Sequence, residues 1–182
     1  MILVSACLLG CACRYDGRSK GHPLAQELAR RGLAVPVCPE QLGGLATPRA
    51  PSEQREGRVV SAAGDDVTAQ YRRGAEETLR LARLYGCVVA VLKERSPSCG
   101  SGQVYDGTFS GTLTAGWGTA AGAGGERAGA APPGAGRHKI GTIWHGGRTA
   151  GASLVIFTRK TVFSLCVSAK IRKSIDIGPE SW

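Results

Sequence analysis

Three short apolar, β-branched runs constrain this chain most: "MILVSA" from Met1, "LAVPV" from Leu33 and "CVVAVLKE" from Cys87, each leading into a cysteine-bearing loop. Between the first two, "HPLAQELARRG" reads as a helix, with Pro23 suited to the first turn, Leu24 and Leu28 on one face, and Gly32 as its stop. Between the second and third, "DDVTAQYRRGAEETLRLARLYG" carries the strongest helical pattern, with acids ahead of its start, Ala75, Leu79, Ala82 and Tyr85 near one stripe, and Gly86 at its end. The Pro- and Gly-rich stretch "PEQLGGLATPRAPSEQREGR" is expected to be mostly loop. "GQVYDGTFSGTL" reads as strand, Asp-Gly turn, strand. Strand, helix, strand, loop, helix, strand is the order of an α/β fold, a parallel sheet covered by helices.

Ligands of such sheets bind beyond the carboxyl ends of the strands. Cys7, Cys38 and Cys99 each fall just past one of those ends, so three thiols distant in sequence converge on one edge. The seven cysteines are an odd, scattered set, which in a reducing cytoplasm reads as ligands, reactive thiols or small buried hydrophobes rather than disulfides. Three thiolates suit a soft metal. A structural zinc site asks for a fourth ligand and for close Cys-x2-Cys pairs, and the close pair here, Cys11 and Cys13, has a single intervening residue. A four-iron cluster held by three cysteines leaves one iron open to a substrate atom such as sulfur. The plain alternative is that each cysteine is a buried small side chain. Cys87, inside its apolar run, reads as core, and Cys166 has no assignment.

Two polar residues stand next to these thiols. Glu40 follows Cys38 in "VCPE", and Ser96 precedes Cys99 in "SPSC", both expected at the rim of the site. A carboxyl group in a desolvated place can move protons; a helix-start acid and a turn serine are the ordinary readings. Asp16-Gly17 and Asp106-Gly107 read first as turns. Arg49 and Lys20 are candidates for an anion or a pyrimidine carbonyl, although most exposed cations are simply solvated. His22, His138 and His145 form no ligand pattern.

The net charge of +9 is uneven, six of those charges belonging to residues 118–182. Residues 118–137 hold seven glycines and seven alanines, with no periodicity that buries a face. The apolar, Lys-containing stretch beyond them is compatible with one or two strands or a frayed helix. Two units are therefore expected, an α/β domain over 1–117 and an irregular, basic C-terminal tail over 118–182. The chain starts without a basic segment ahead of its first apolar run, and no run approaches a membrane span, so the expectation is a cytoplasmic protein without a membrane partner.

The blocks "VSACLLG", "CRYDGRSK", "VPVCPEQLGGLATPR", "GDDVTAQYRRGAEETLRLA", "AVLKERSPSCGSG" and "VYDGTFSG" resemble, in order and over about residues 1–117, the thiouracil desulfurase family, formerly a domain of unknown function. The resemblance implies a three-layer, Rossmann-like α/β domain holding a [4Fe-4S] cluster through Cys7, Cys38 and Cys99, with Cys11 and Cys13 outside the ligand set. It implies hydrolytic, non-redox conversion of 2-thiouracil to uracil and hydrogen sulfide, with Glu40 moving protons and Ser96 as a second active-site group. The physiological substrate and the oligomeric state are not implied. Past "GTLTAG" the family continues with a helix and a last strand where this chain has its Gly/Ala-rich stretch, which fits a disturbed reading frame near residue 117 or a diverged extension. Two further readings follow: a desulfurase homologue inactive because its fold is incomplete, and a non-enzymatic metal- or nucleic-acid-binding module using the basic tail. The chain lacks the aromatic and basic interleaving that reads bases, which argues against nucleic acid.

Overall fold

The computed structural model describes residues 1–123 and the backbone of two later strands, 139–142 and 152–158. The first apolar run forms β1 (Ile2–Ser5), the middle of three parallel strands, where Leu3, Val4 and Ser5 are buried. It pairs in parallel with β2 (Ala34–Val37) on one side and β5 (Val89–Lys93) on the other, so the three runs lie side by side in one direction. β2 is the outer strand of the sheet, which explains how Pro36, with no N–H to give a further neighbour, fits within it.

Helix α1 (Pro23–Arg30) opens on Pro23 and is followed by Gly32 in the left-handed region at φ +68°. It covers one face of the sheet, where Ala25 and Leu28 pack with Val4, Leu8 and Val91. Helix α3 (Thr68–Leu84) belongs to the opposite face, where Ala82 packs with Leu3, Val35, Val37, Ala90 and Leu92. Alternate residues of one strand thus enter different cores, the pleat of a sheet buried on both sides. The α3 stripe differs from the expected one. Tyr71, Gly74, Ala75, Thr78 and Ala82 are buried, while Tyr85 is 51% exposed, because the helix ends at Leu84 and Tyr85 leaves its register.

The segment expected to be mostly loop contains structure. A single-turn helix α2 (Pro39–Leu42) follows β2, and a hairpin of β3 (Ser52–Arg55) and β4 (Arg58–Ser61) follows it. Glu56 (φ +50°) and Gly57 (φ +77°) form the two-residue turn that matches strand twist. The second hairpin appears as expected, β6 (Ser101–Tyr105) against β7 (Leu113–Trp117), but its strands are joined by a wider loop than a bare Asp-Gly turn. A short helix α4 (Thr119–Gly122) closes onto the loop before β6 through Ala120 N–H to Ser98 C=O (2.9 Å).

Two strands from the C-terminal stretch, β8 (Lys139–Thr142) and β9 (Ala152–Thr158), extend the sheet in the order β2-β1-β5-β9-β8. β9 runs antiparallel to β5, Val91 opposite Leu154, and β8 runs antiparallel to β9. The parallel core is therefore three strands wide with an antiparallel border. Among the described residues no helix is long and apolar enough to cross a membrane. Cys166, His138 and His145 lie outside the described residues.

Candidate functional site

The carboxyl ends of β1, β2 and β5 open into a cavity of about 600 Å3. Cys7 reaches it from the 3-10 turn after β1 (Ala6–Leu9), which Gly10 ends at φ +106°. Cys38 sits at the N-cap of α2, directly after β2. Cys99 lies in the tight turn after β5, closed by Gly100 N–H to Ser96 C=O (2.8 Å). That turn has no spare room, since a Cβ on Gly100 would stand 2.7 Å from the Ser96 carbonyl oxygen. The three thiols of the sequence reading thus line one cavity.

A fourth thiol joins them. Cys13 is 4% exposed and lies beside Cys7 and Cys38, whose Sγ is 3.7 Å from the Cys13 carbonyl oxygen, while Cys11 is exposed. The turn made by Cys13 N–H to Cys11 C=O (2.9 Å) sends one thiol inward and the other out. Burial pushes the Cys99 thiol up to about 12. The thiol contact with Cys13, followed by burial, pushes Cys38 upward. For Cys13, the bond to Cys38 acts downward but is outweighed by contact with Cys7 and by burial, leaving it at about 11. Such thiols become thiolates when a cation coordinates them. Lys93 is on the same wall, its ammonium donating to the Glu94 carbonyl (2.8 Å) and its own charge disfavoured by burial. Among the described residues no three Cys, His, Asp or Glu side chains are grouped as ligands of a single ion. Thiols spread around a cavity suit a polynuclear cluster, in which separate irons take separate cysteines.

Glu40, in the first turn of α2, is the polar centre of the cavity. Its Oε1 accepts a hydrogen bond from Ser98 Oγ at 2.8 Å and from Ser96 Oγ at 3.4 Å. The two hydroxyls are 3.0 Å apart, so they form a chain ending on the carboxylate. Ser96 Oγ also accepts the N–H groups of Ser98 and Cys99, both at 3.2 Å. Ser96 therefore shapes the turn that presents Cys99, and Ser98, 1% exposed, makes the closer contact with Glu40.

The other carboxylate oxygen, Oε2, accepts from Arg49 through Nε (2.9 Å) and Nη2. Arg49 also donates to the carbonyls of Ala46 (3.0 Å) and Cys13 (3.2 Å) and to Thr47 Oγ1 (3.0 Å). With side chains 9% and 12% exposed, Arg49 and Glu40 form a mostly desolvated ion pair. Arg49, read from sequence as an anion binder, is the counter-charge of Glu40. The Tyr71 hydroxyl lies against Ser52 and Glu40, and burial, then the Glu40 charge, push it upward. The close Ser98 contact, the inward thiol of Cys13 and the role of Tyr71 were not singled out from the sequence. Ser98 sits in the same serine-rich loop as Ser96, but periodicity cannot tell which hydroxyl turns inward.

The remaining candidates stand elsewhere. Asp16 caps its own turn by accepting from Arg18 N–H (3.0 Å) and pairs with Arg14 (3.1 Å). Lys20 is exposed and outside the cavity wall. His22 is the N-cap residue of α1. Cys87 packs in the core at 7% exposure, as expected.

The model of the family described as 2-thiouracil desulfurase matches residues 2–130, a span that includes every residue of the cavity. The uncharacterized protein YbbK of Bacillus subtilis (strain 168) is 44% identical over 131 residues, which cover 66% of this chain and 87% of that protein. The solved structure of the [4Fe-4S]-dependent thiouracil desulfidase TudS superimposes with a TM-score of 0.64 at 50% identity, covering 66% of this chain and 81% of that one. With the family match spanning both the parallel core and the thiol-lined edge, the chain belongs to the 2-thiouracil desulfurase family.

Proposed function

We propose that the chain is a [4Fe-4S]-dependent desulfidase that converts 2-thiouracil and water to uracil and hydrogen sulfide without net redox change. The observation that carries this reading is one cavity lined by three strand-end thiols and by a carboxylate fixed between an arginine and two serines. Its likeness to TudS, a [4Fe-4S]-dependent thiouracil desulfidase at 50% identity, supports the same chemistry. Cys7, Cys38 and Cys99 are the proposed ligands, one from the end of each parallel strand, with Cys13 in the wall between two of them. When bound, the cluster supplies an iron without a cysteine ligand, to which a thiocarbonyl sulfur can coordinate.

The residues around it handle the protons. Exchange of C=S for C=O adds one water oxygen at the ring carbon and releases sulfur with two protons. Glu40 Oε1, in contact with Ser98 and Ser96, is placed to take a proton from the attacking water and return it to the departing sulfur. Arg49 holds Oε2, leaving Oε1 as the oxygen free to exchange. The substrate is a small molecule, and nothing in this scheme calls for nucleic acid or a membrane. A reducing cytoplasm suits such thiols, which it keeps from pairing as disulfides. Residues 1–117 are read as the desulfurase unit and 118–182 as the appended basic segment.

Anaerobic reconstitution with iron and sulfide tests the reading. The wild-type chain should turn brown and release sulfide from 2-thiouracil. Changing Cys7, Cys38 or Cys99 to Ala should abolish the colour, whereas the core substitution Cys87→Ala should retain it. A fully loaded protein that releases no sulfide from 2-thiouracil would refute the proposal.

A further inference from the structure

Among the described residues three that are not glycine have a positive φ: Glu56, Arg95 and Phe109. Glu56 belongs to the tight turn between β3 and β4, but Arg95 (φ +57°) and Phe109 (φ +58°) both line the cavity. The left-handed region is costly for a bulky aromatic residue, and backbone strain of this kind persists where the surroundings over-determine it. Here the surroundings are visible. Glu53, a carboxylate only 8% exposed on β3, accepts the N–H of Phe109 (2.9 Å) and of Gly107 (3.0 Å) with the same oxygen. Gly107 lies tight on β3, where a Cβ would stand 2.7 Å from both Gln54 O and Arg55 Cβ. Thr108 Oγ1 is bonded to Asp106 Oδ1 (2.6 Å) and to Ser110 Oγ (2.7 Å), bracing the loop from within. All this fixes Phe109, a residue that remains 40% exposed. Packing does not call for it, since a ring serving the core would be covered.

We infer that Phe109 is a stacking platform for the planar ring of the substrate, set at the cavity mouth by the buried carboxylate of Glu53, and that it selects heteroaromatic thiocarbonyl compounds. This rests on the desulfidation reading. The ring presents a π-face to a pyrimidine, a contact that binds the planar heterocycle in substrate and transition state alike. Phe109 therefore acts on substrate capture, and Glu53 is a positioning residue acting through the loop.

Steady-state sulfide release from 2-thiouracil by the reconstituted holoenzyme, with melting temperature measured in parallel, tests this. Phe109→Ala should raise KM about tenfold with kcat within about twofold, and Phe109→Tyr should restore the wild-type KM. Glu53→Gln, which weakens the hold on the two N–H groups, should raise KM in the same direction. Phe109→Gly should show the same KM defect as Phe109→Ala while melting no lower than it, because glycine adopts φ +58° freely. A wild-type enzyme that releases no sulfide would overturn the desulfidation reading and this inference with it. Wild-type turnover with an unchanged KM in Phe109→Ala, or a fall in kcat alone, would overturn the inference and leave the desulfidation reading standing.

Discussion

Replacing Gly74 by alanine sets two physical effects of opposite sign against each other. In the middle of a helix, alanine is favoured over glycine by about 1 kcal/mol. Gly74, however, is where α3 touches α2: a Cβ there would lie 1.9 Å from the Pro39 carbonyl oxygen, and a Cβ on Gly43 would lie 2.0 Å from the Gln70 carbonyl oxygen. Since such contacts essentially never fall below 3.0 Å, the backbones must part by about 1.1 Å. The atoms that meet the new methyl, Pro39 C=O and Gly43 N, are main chain, so no flexible side chain can turn aside, and overpacking of this type costs about 3 kcal/mol. The net loss is about 2 kcal/mol, which for a chain of this size lowers Tm by about 4–8 °C. The displaced backbone is that of α2, which Cys38 caps and which carries Glu40 in its first turn. A shift near 1 Å there lengthens the 2.8 Å contact from Ser98 to Glu40. Misplacement on that scale costs about a hundredfold in rate. Circular dichroism melting and sulfide-release kinetics on Gly74→Ala read both effects. A variant that melts at or above wild type with unchanged turnover would show that helix propensity outweighs the contact and that the two helices are not tightly apposed.

Two further outcomes follow from the charges. Arg49→Met removes the counter-charge of Glu40 and leaves a mostly desolvated carboxylate, so urea unfolding should show a loss of about 3–5 kcal/mol together with reduced turnover. Asp66 accepts the N–H of Thr68 (2.9 Å) at the start of α3, and that residue's hydrogen bonds hold its carboxyl below its ordinary value of 3.8. A carboxyl depressed in the folded state stabilises it above the unfolded value, and that contribution disappears as pH falls through the folded one. Wild type should therefore melt above Asp66→Ala at neutral pH, with the two curves converging in acid below pH 3.8; a gap independent of pH would contradict this.

The parallel core and the gathering of thiols were legible because both depend on local signals: β-branched runs of strand length, each ending at a cysteine. The β3–β4 hairpin was not, because its sequences "SEQR" and "RVVS" are short and half polar, and the residues they bury include Glu53 and Ser61. A buried carboxylate makes sense only once the loop of Phe109 lies over it, and that loop is 54 to 56 residues away. The pairing of Glu40 with Arg49 was hidden for a similar reason, since nothing periodic relates a helix-start acid to a cation nine residues on. The spacing of Cys11 and Cys13 speaks only against zinc; which of the two thiols faces inward is decided by a local turn that periodicity does not show.

The antiparallel border of the sheet adds a question of timing. The three proposed ligands and Glu40 all precede residue 100, whereas the strand that covers β5 begins at Ala152, roughly sixty residues after Lys93. At about 5–20 residues per second, a nascent chain spends several seconds with its thiols already made and one edge of its newest parallel strand bare. Oxidants and neighbouring chains compete for those groups during that interval, so the speed of translation through the Gly/Ala-rich stretch sets how long the unfinished protein is vulnerable.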